Sequence, residues 1–391
     1  MKTRNVQDTA WITVAALYFA GVGAALQFAK FAVPFDSLGA AYPDAGVALG
    51  FAVSLISVLG VLCGFTAGLA VAVVGFRRML LLAMLLGAIL SAFQALMVPL
   101  WGLFALRIIE GLSHLVIVVA APTLMVQITA PRHRAVVMTV WSTFFGGAFV
   151  LVSWVGVPFV AAYGLPRLLA AHAVWMVAVA GGLAFVLPAI APDRHQPEWP
   201  SMAQIWRDHL QAYASPSQAA PALGWIAYAA TYVATLTVVP GQLAPADRIW
   251  AVPLMPLAGL VVSLTLGVVL TRFMSAIGIV LTGFSLAALV TLALSVYPHS
   301  AGLAIALLAV LGLVQSGSFA AIPELNKTPQ NQALANGALA QGGNLGNLLG
   351  TPALLTLLAL GGATALYIGL LVLCLAGFAQ HLWQRTRRRR A

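Results

Sequence analysis

Residues 192–218, PDRHQPEWPSMAQIWRDHLQAYASPSQ, are the one long hydrophilic interruption in a chain of 391 residues. They carry Asp193, Arg194, His195, Glu198, Arg207, Asp208 and His209 among several prolines. The rest is apolar: 62% of the chain is hydrophobic, 7% is charged and the mean hydropathy is +0.99. A water-soluble fold carries about a quarter charged residues. The composition therefore places the chain in a membrane, and residues 191–219 read as a linker between two membrane-embedded halves.

Working outward, apolar stretches of spanning length fall at 10–35, 47–74, 77–97, 99–128, 135–163 and 166–190 before the linker. Six more follow at 220–242, 248–271, 274–297, 300–325, 331–358 and 362–383. The first is longer than a signal-peptide core and has no small-residue cleavage site, so it is read as a span. Continuous apolar runs are helices, not the ten-residue alternations of a membrane barrel. The expected fold is an all-α membrane protein of twelve transmembrane helices in two six-helix bundles, 1–190 and 220–391, the second ending in a basic tail. Twelve spans of about 20 residues take roughly 240 residues. What remains is too little for an extramembrane catalytic or nucleic-acid-binding domain.

The formal charge of +10 is read by location. With the amino terminus inside, 15 of the 19 Lys and Arg fall on one side, Arg77, Arg78, Arg132, Arg134, Arg272 and Arg387 to Arg390 among them. The positive-inside rule then puts both termini in the cytoplasm. The Arg387–Arg390 run reads as a topology anchor, with lipid recognition as the other reading. Cys63 and Cys374 are the only cysteines, so no disulfide scaffold or CxxC site is available, and both are expected to pack as small hydrophobes.

The halves echo one another. Ala120-Ala121-Pro122-Thr123-Leu124, then Thr129-Ala130-Pro131, close the fourth span; Ala320-Ala321-Ile322-Pro323-Glu324-Leu325, then Thr328-Pro329, close the tenth. One small gap aligns both pairs. Gly156-Val157-Pro158 in the fifth span matches Gly350-Thr351-Pro352 in the eleventh. Three echoes in order indicate duplication of a six-helix unit, the design of carriers that rock one bundle against another.

Between the second and third spans stands Gly68-Leu69-Ala70-Val71-Ala72-Val73-Val74-Gly75-Phe76-Arg77-Arg78. It resembles the loop signature of the major facilitator superfamily of secondary transporters, G-x-L-A-D-R-x-G-R-R, in both glycines and the closing arginines. The acidic position is Ala72 and the first basic one Val73, so the family's charge lock is absent or rebuilt elsewhere. Arg107-Ile108-Ile109-Glu110-Gly111 resembles the family's R-x-x-x-G element. The glycine-rich exporter pattern survives only as Gly147, Gly156 and Pro158. Gln341-Gly342-Gly343-Asn344-Leu345-Gly346-Asn347 is loosely similar to the bacterial cyanate-transporter-like branch. The resemblance implies Gly68, Gly75, Arg77 and Arg78 as a gating loop, and a central cavity lined by the first, fourth, seventh and tenth spans.

Charges in hydrocarbon are costly, so titratable groups in mid-span mark function by default. Lys30 lies beside Gln27 at i,i+3 in the first span. It either faces an aqueous cavity and attracts an anionic group, with Gln27 orienting it, or snorkels to the boundary suggested by Pro34 and Asp36. Arg107, Glu110 and His114 share a face of the fourth span, where Glu110 is set to pair with Arg107 and His114. This is either a structural ion pair or a proton-coupling group with Glu110 as carrier. In the seventh span Trp225, Tyr228, Tyr232 and Thr235 form an aromatic stripe that lines a ligand site or packs the bundle. Asn336, Gln341, Asn344 and Asn347 lie among glycines in the eleventh span, a packing and hinge arrangement from which Gln341 and Asn344 are placed to reach ligand.

The expectation is a multi-pass carrier of the bacterial inner membrane, monomeric in the sense that one chain holds both bundles, working by alternating access on a small organic solute, with an anion favoured and proton symport as the coupling. The alternative within the fold is a drug or metabolite exporter. No cofactor, metal or nucleic-acid partner is expected, and no span shows a nucleophile with a base, paired acids or an HExxH run.

Overall fold

The computed structural model describes residues 8–64, 66–187 and 201–390, and every regular element among them is helical. Among the described residues eleven helices are long and apolar enough to cross a membrane. In chain order they are α1 (Trp11–Ala32), α2 (Pro43–Cys63), α3 (Phe76–Ala95), α4 (Leu100–Gln127), α5 (Phe144–Tyr163), α6 (Leu165–Val186), α7 (Ala219–Gln242), α8 (Pro245–Leu270), α9 (Ala276–Val296), α10 (Ala301–Leu325) and α11 (Pro329–Arg390). Large apolar side chains such as Phe185 and Ile249 stand on the outer surface, as a lipid-facing wall requires.

Four expected spans come out differently. The eleventh and twelfth form one continuous element, α11, broken at Gly361 and Gly362, where the backbone leaves helical geometry and Gly362 takes φ +65°. A residue without Cβ makes that turn at least cost. The second span is shorter than 47–74: α2 ends at Cys63, and Ala67–Val74 is a separate helix. The fifth begins with a separate helix, Arg134–Ser142, before α5. Inside α5, Pro158 has no N–H to offer the preceding turn, and the helix widens to a π turn over Val152–Gly156.

The described residues group into two compact units, Met1–Ser37 with Thr66–Trp199, and Leu38–Phe65 with Pro200–Ala391. The second span thus sides with the carboxy-terminal half, not with the 1–190 bundle. Its small residues explain why: a Cβ on Gly50 would stand 3.1 Å from Pro352 Cα, and one on Gly60 would run into the Asn344 side chain. Glycines let α2 approach α11 this closely.

In the first unit α1 packs against α4, α5 and α6, and α3 against α4 and α6, around Leu17, Met84, Ile117, Leu124 and Met176. In the second unit α7 packs against α10 and α11, and α9 against α10 and the last rod of α11, where Phe284 meets Gly377. The pairing of first with fourth and fifth, and of third with fourth and sixth, recurs in both units. That recurrence is what duplication of a six-helix unit would produce.

Of the linker, residues 191–200 lie outside the described residues. The remainder contains an amphipathic helix, Met202–Ala214, whose first turn is capped by Ser201 Oγ accepting from the Gln204 N–H at 3.2 Å.

Candidate functional site

The first unit has a charged interior. Lys30 is 1% exposed and does not snorkel: its Nζ donates to Glu110 Oε1 at 2.6 Å and to Ser91 Oγ at 2.6 Å, and lies 3.3 Å from His172 Nδ1. An ammonium has three protons, and three acceptors surround it. The other oxygen of Glu110 accepts from Arg107 and from Gln94 Nε2, the latter at 2.7 Å. Arg107 also donates to the backbone oxygen of Gln27 at 2.9 Å. The ring of Phe31 lies 4.8 Å from the Arg107 guanidinium carbon and 5.5 Å from Lys30 Nζ, its face covering both cations.

The histidine tautomers follow from their neighbours. His172 Nε2 is 3.0 Å from the Gly23 carbonyl oxygen and must donate; Nδ1, 2.7 Å from Ser91 Oγ, also faces the Lys30 ammonium at 3.3 Å, which has no lone pair to offer, and so accepts. His172 is therefore a neutral ring. His114 Nδ1, 3.0 Å from the Ala24 carbonyl oxygen, likewise donates. His114 bonds this backbone oxygen, not Glu110 as its helical spacing suggests, and its ring stands edge-on to Phe28. The cluster thus sets two cations against one carboxylate. Glu110 is the only buried acid among the described residues.

Gln27 faces the same interior. Its Nε2 donates to Ser113 Oγ at 2.9 Å, while its Oε1 is buried without a hydrogen-bond partner. The sequence reading missed Ser91, Gln94 and Ser113, which are unremarkable alone in apolar helices. It also missed His172, whose signal was available: a histidine in the middle of an apolar span.

The second unit has an aromatic interior. Trp225 stacks on Tyr228 at 4.2 Å and Tyr228 on Tyr232 at 5.4 Å between ring centroids. Tyr228 donates to Gln315 Oε1 on α10 at 3.1 Å, and Trp225 meets Phe319 edge-on. The stripe is a continuous ladder packed against α10. Thr235 is buried beyond it.

Gln341 and Asn344 are engaged elsewhere. Gln341 Nε2 donates to the Val61 carbonyl on α2 at 2.7 Å, and its Oε1 accepts from Tyr213 of the linker helix at 2.9 Å. Burial pushes the Tyr213 phenol above its ordinary pKa and so keeps it a donor. Asn344 donates to Ala340 O at 2.9 Å and fills the space opposite Gly60. The glycines between them face the other way. A methyl on Gly342, Gly346 or Gly350 would strike the carbonyls of Ala222, Ile226 and Ala230 in turn, so α7 and α11 run parallel in backbone contact. A cavity of about 350 Å³ lies between Val61, His209, Tyr213, Ile226 and Gln341, with mostly apolar walls.

In the loop motif Gly75 takes φ +102° and makes the turn into α3, while Gly68 lies near Val119 of α4. Arg77 donates to the Leu187 and Ala184 carbonyls at 3.1 and 2.9 Å, closing the end of α6. Arg78 is exposed. Of the two cysteines, Cys374 is buried as expected and Cys63 is exposed.

No protein-family model matches the chain, and no curated protein does. Among solved structures, the crystal structure of the human organic anion transporter MFSD10 (TETRAN) matches 95% of this chain and 99% of its own, with a TM-score of 0.68 at 17% sequence identity. The chain has the major facilitator fold. Its described residues carry eleven helices long and apolar enough to cross a membrane, as a multi-pass membrane protein does. At that identity the likeness speaks for the fold alone.

Proposed function

We propose that the chain is a secondary carrier that moves a small organic anion together with a proton by alternating access. The reading includes twelve spans, both termini in the cytoplasm and residence in a bacterial inner membrane. The observation that carries it is the buried cluster in which Lys30 and Arg107 share Glu110. With His172 an acceptor toward Lys30, two cations face one carboxylate, and one positive charge is uncompensated where charge is expensive. Two events restore neutrality: an anion arriving, or a proton leaving Lys30. They are alternatives, so a bound anion requires the proton and the two travel together. Glu110, nominated from sequence as the proton carrier, is in this reading the fixed counter-charge. The cluster is closed in this conformation, and the rocking of bundles opens it. That the neighbour of the same fold is an organic anion transporter agrees with the solute class.

The test is uptake into proteoliposomes of radiolabelled benzoate, succinate and an aryl sulfate, with a neutral sugar as control. At least one anion should accumulate uphill under an inward proton gradient. Lys30→Met should abolish this uptake, and unchanged transport in that variant sinks the anion assignment. Lys30→Arg keeps a charge that does not leave. It should retain anion exchange and lose proton-driven accumulation; uphill transport in Lys30→Arg removes the proton from the mechanism.

A further inference from the structure

The linker helix and the basic tail, far apart in sequence, form one surface. Met202–Ala214 turns Ile205, Asp208, His209 and Ala212 inward, and buried Ala212 packs with Ala222 and Ala338. Its other side carries Met202, Trp206 and Leu210 at i, i+4 and i+8, each more than half exposed. Arg387 donates to the Ala214 carbonyl at 3.0 Å and Arg388 to the Pro216 carbonyl at 2.9 Å, which fixes the tail against the end of this helix. The Arg387 guanidinium also lies over the exposed Trp383 ring at 5.1 Å.

We infer that this surface docks on the anionic phospholipid headgroups of the adjoining leaflet. Four observations select that occupant. The helix is tethered at membrane depth, because only Ser215 to Gln218 separate it from α7, a reach of at most about 15 Å. Its apolar stripe ends at the polar Arg207, as in helices that lie in the interface with one face in the acyl boundary. The charge is predominantly positive: among the described residues Arg207, Arg385 and Arg387 to Arg390 stand against Asp208, which accepts from Gln204 Nε2 at 2.7 Å, and Glu324, which attracts Arg388 and accepts from the Ala276 N–H at 2.8 Å. Trp206 and Trp383 are the aromatic type that settles at headgroup level. A lipid bound here holds the linker, the start of α7 and the end of α11 together, so leaflet charge adjusts the stability of the second unit.

Two measurements on the full chain test it. First, native mass spectrometry of the detergent-purified protein, titrated with phosphatidylglycerol and with phosphatidylcholine, should show preferential retention of the anionic lipid. Arg385→Gln, Arg389→Gln and Arg390→Gln, exposed and free of the tail's carbonyl bonds, should each weaken it about fivefold, whereas Arg132→Gln should not. Equal retention of the two lipids, or indifference to the tail substitutions, overturns the inference. Second, with Cys63 and Cys374 replaced, spin labels at Trp206→Cys and Leu210→Cys in phosphatidylglycerol-containing vesicles should collide with oxygen more than with a water-soluble nickel chelate, and a label at Gln211→Cys should do the reverse. Water-exposed labels at 206 and 210 overturn it. So do labels shielded from both reagents, which would place a protein on the stripe.

Discussion

The interiors of the two units are built from opposite materials. The first buries Lys30, Arg107, Glu110 and His172 in one hydrogen-bonded knot, while the second stacks Trp225, Tyr228 and Tyr232 and closes α7 on α11 through bare glycine. The same helix pairing recurs in both units, yet their cores are made of different side chains. Charge is held where a change of charge has the largest consequence, in a dry core. The other unit is packed by shape, and it has no buried carboxylate among its described residues. The contrast teaches that the buried ion pairs among the described residues are gathered in one unit, while buried amides and hydroxyls occur in both, and it makes the two units respond differently to comparable substitutions.

The largest effect belongs to the counter-charge. Glu110→Gln leaves Lys30 and Arg107 buried together without a partner, and removing one member of a buried pair costs about 3–5 kcal/mol. Lys30→Met instead leaves Arg107 and Glu110 as a balanced pair and should cost much less. Thermal unfolding of the purified variants should show a deep loss for Glu110→Gln and a shallow one for Lys30→Met. Equal losses would mean that the cluster carries no excess charge, and the contrast between the units would lose its basis.

Next is the glycine contact. Gly346→Ala places a methyl against the Ile226 carbonyl, where nothing can give way but a helix backbone. Overpacking of this kind costs about 1–3 kcal/mol. Gly182 in α6 has open space around its added methyl. There alanine should be neutral or stabilise by about 0.5–1 kcal/mol through helix propensity. If both substitutions behave alike, the second unit is not held by backbone approach.

How much of this was legible depends on distance along the chain. The apolar runs are local, and they place most of the helices to within a few residues, because lipid demands an unbroken span; the end of the second and the start of the fifth are the exceptions. Arg107 and Glu110 are three residues apart, and their pairing is readable as helical spacing. Lys30 and Glu110 are eighty residues apart, and no local pattern joins them, so the same lysine was open to a snorkelling reading. The gap between α2 and Ala67–Val74 was also hidden, since Gly64 weakens a helix without making it less apolar. In α11 the glycines were legible as packing, but which face meets α7 and which meets α2 is a tertiary fact. That is why Gln341 read as a ligand contact and is found bonded to Val61 and Tyr213.

A smaller effect tests the aromatic side. Tyr228→Phe preserves the stack on Trp225 and Tyr232 and removes only the bond to Gln315. The expected loss is about 1 kcal/mol, read by unfolding. Trp225→Ala, which also removes ring contact with Phe319, should exceed it. If Tyr228→Phe costs more than Trp225→Ala, the polar tip and not the stacked rings holds α7 to α10.

The smallest effect lies at the edge of the first unit, where charge is used without being buried. Arg77 gives two N–H groups to the last carbonyls of α6, which have no partner within the helix. A cation at this end also meets the negative pole of the helix dipole, and the two together contribute about 0.3–1 kcal/mol at an exposed site. Arg77→Lys keeps the charge and loses the fork, so it should fall between the native protein and Arg77→Gln. Hydrogen exchange resolves this better than unfolding. The amides of the last turn of α6 should exchange faster in Arg77→Gln, while those around Met176 in the packed core stay protected. Were the exchange to rise along all of α6, Arg77 would be acting on the whole helix, and the first unit would owe its order to a surface cation as much as to its buried knot.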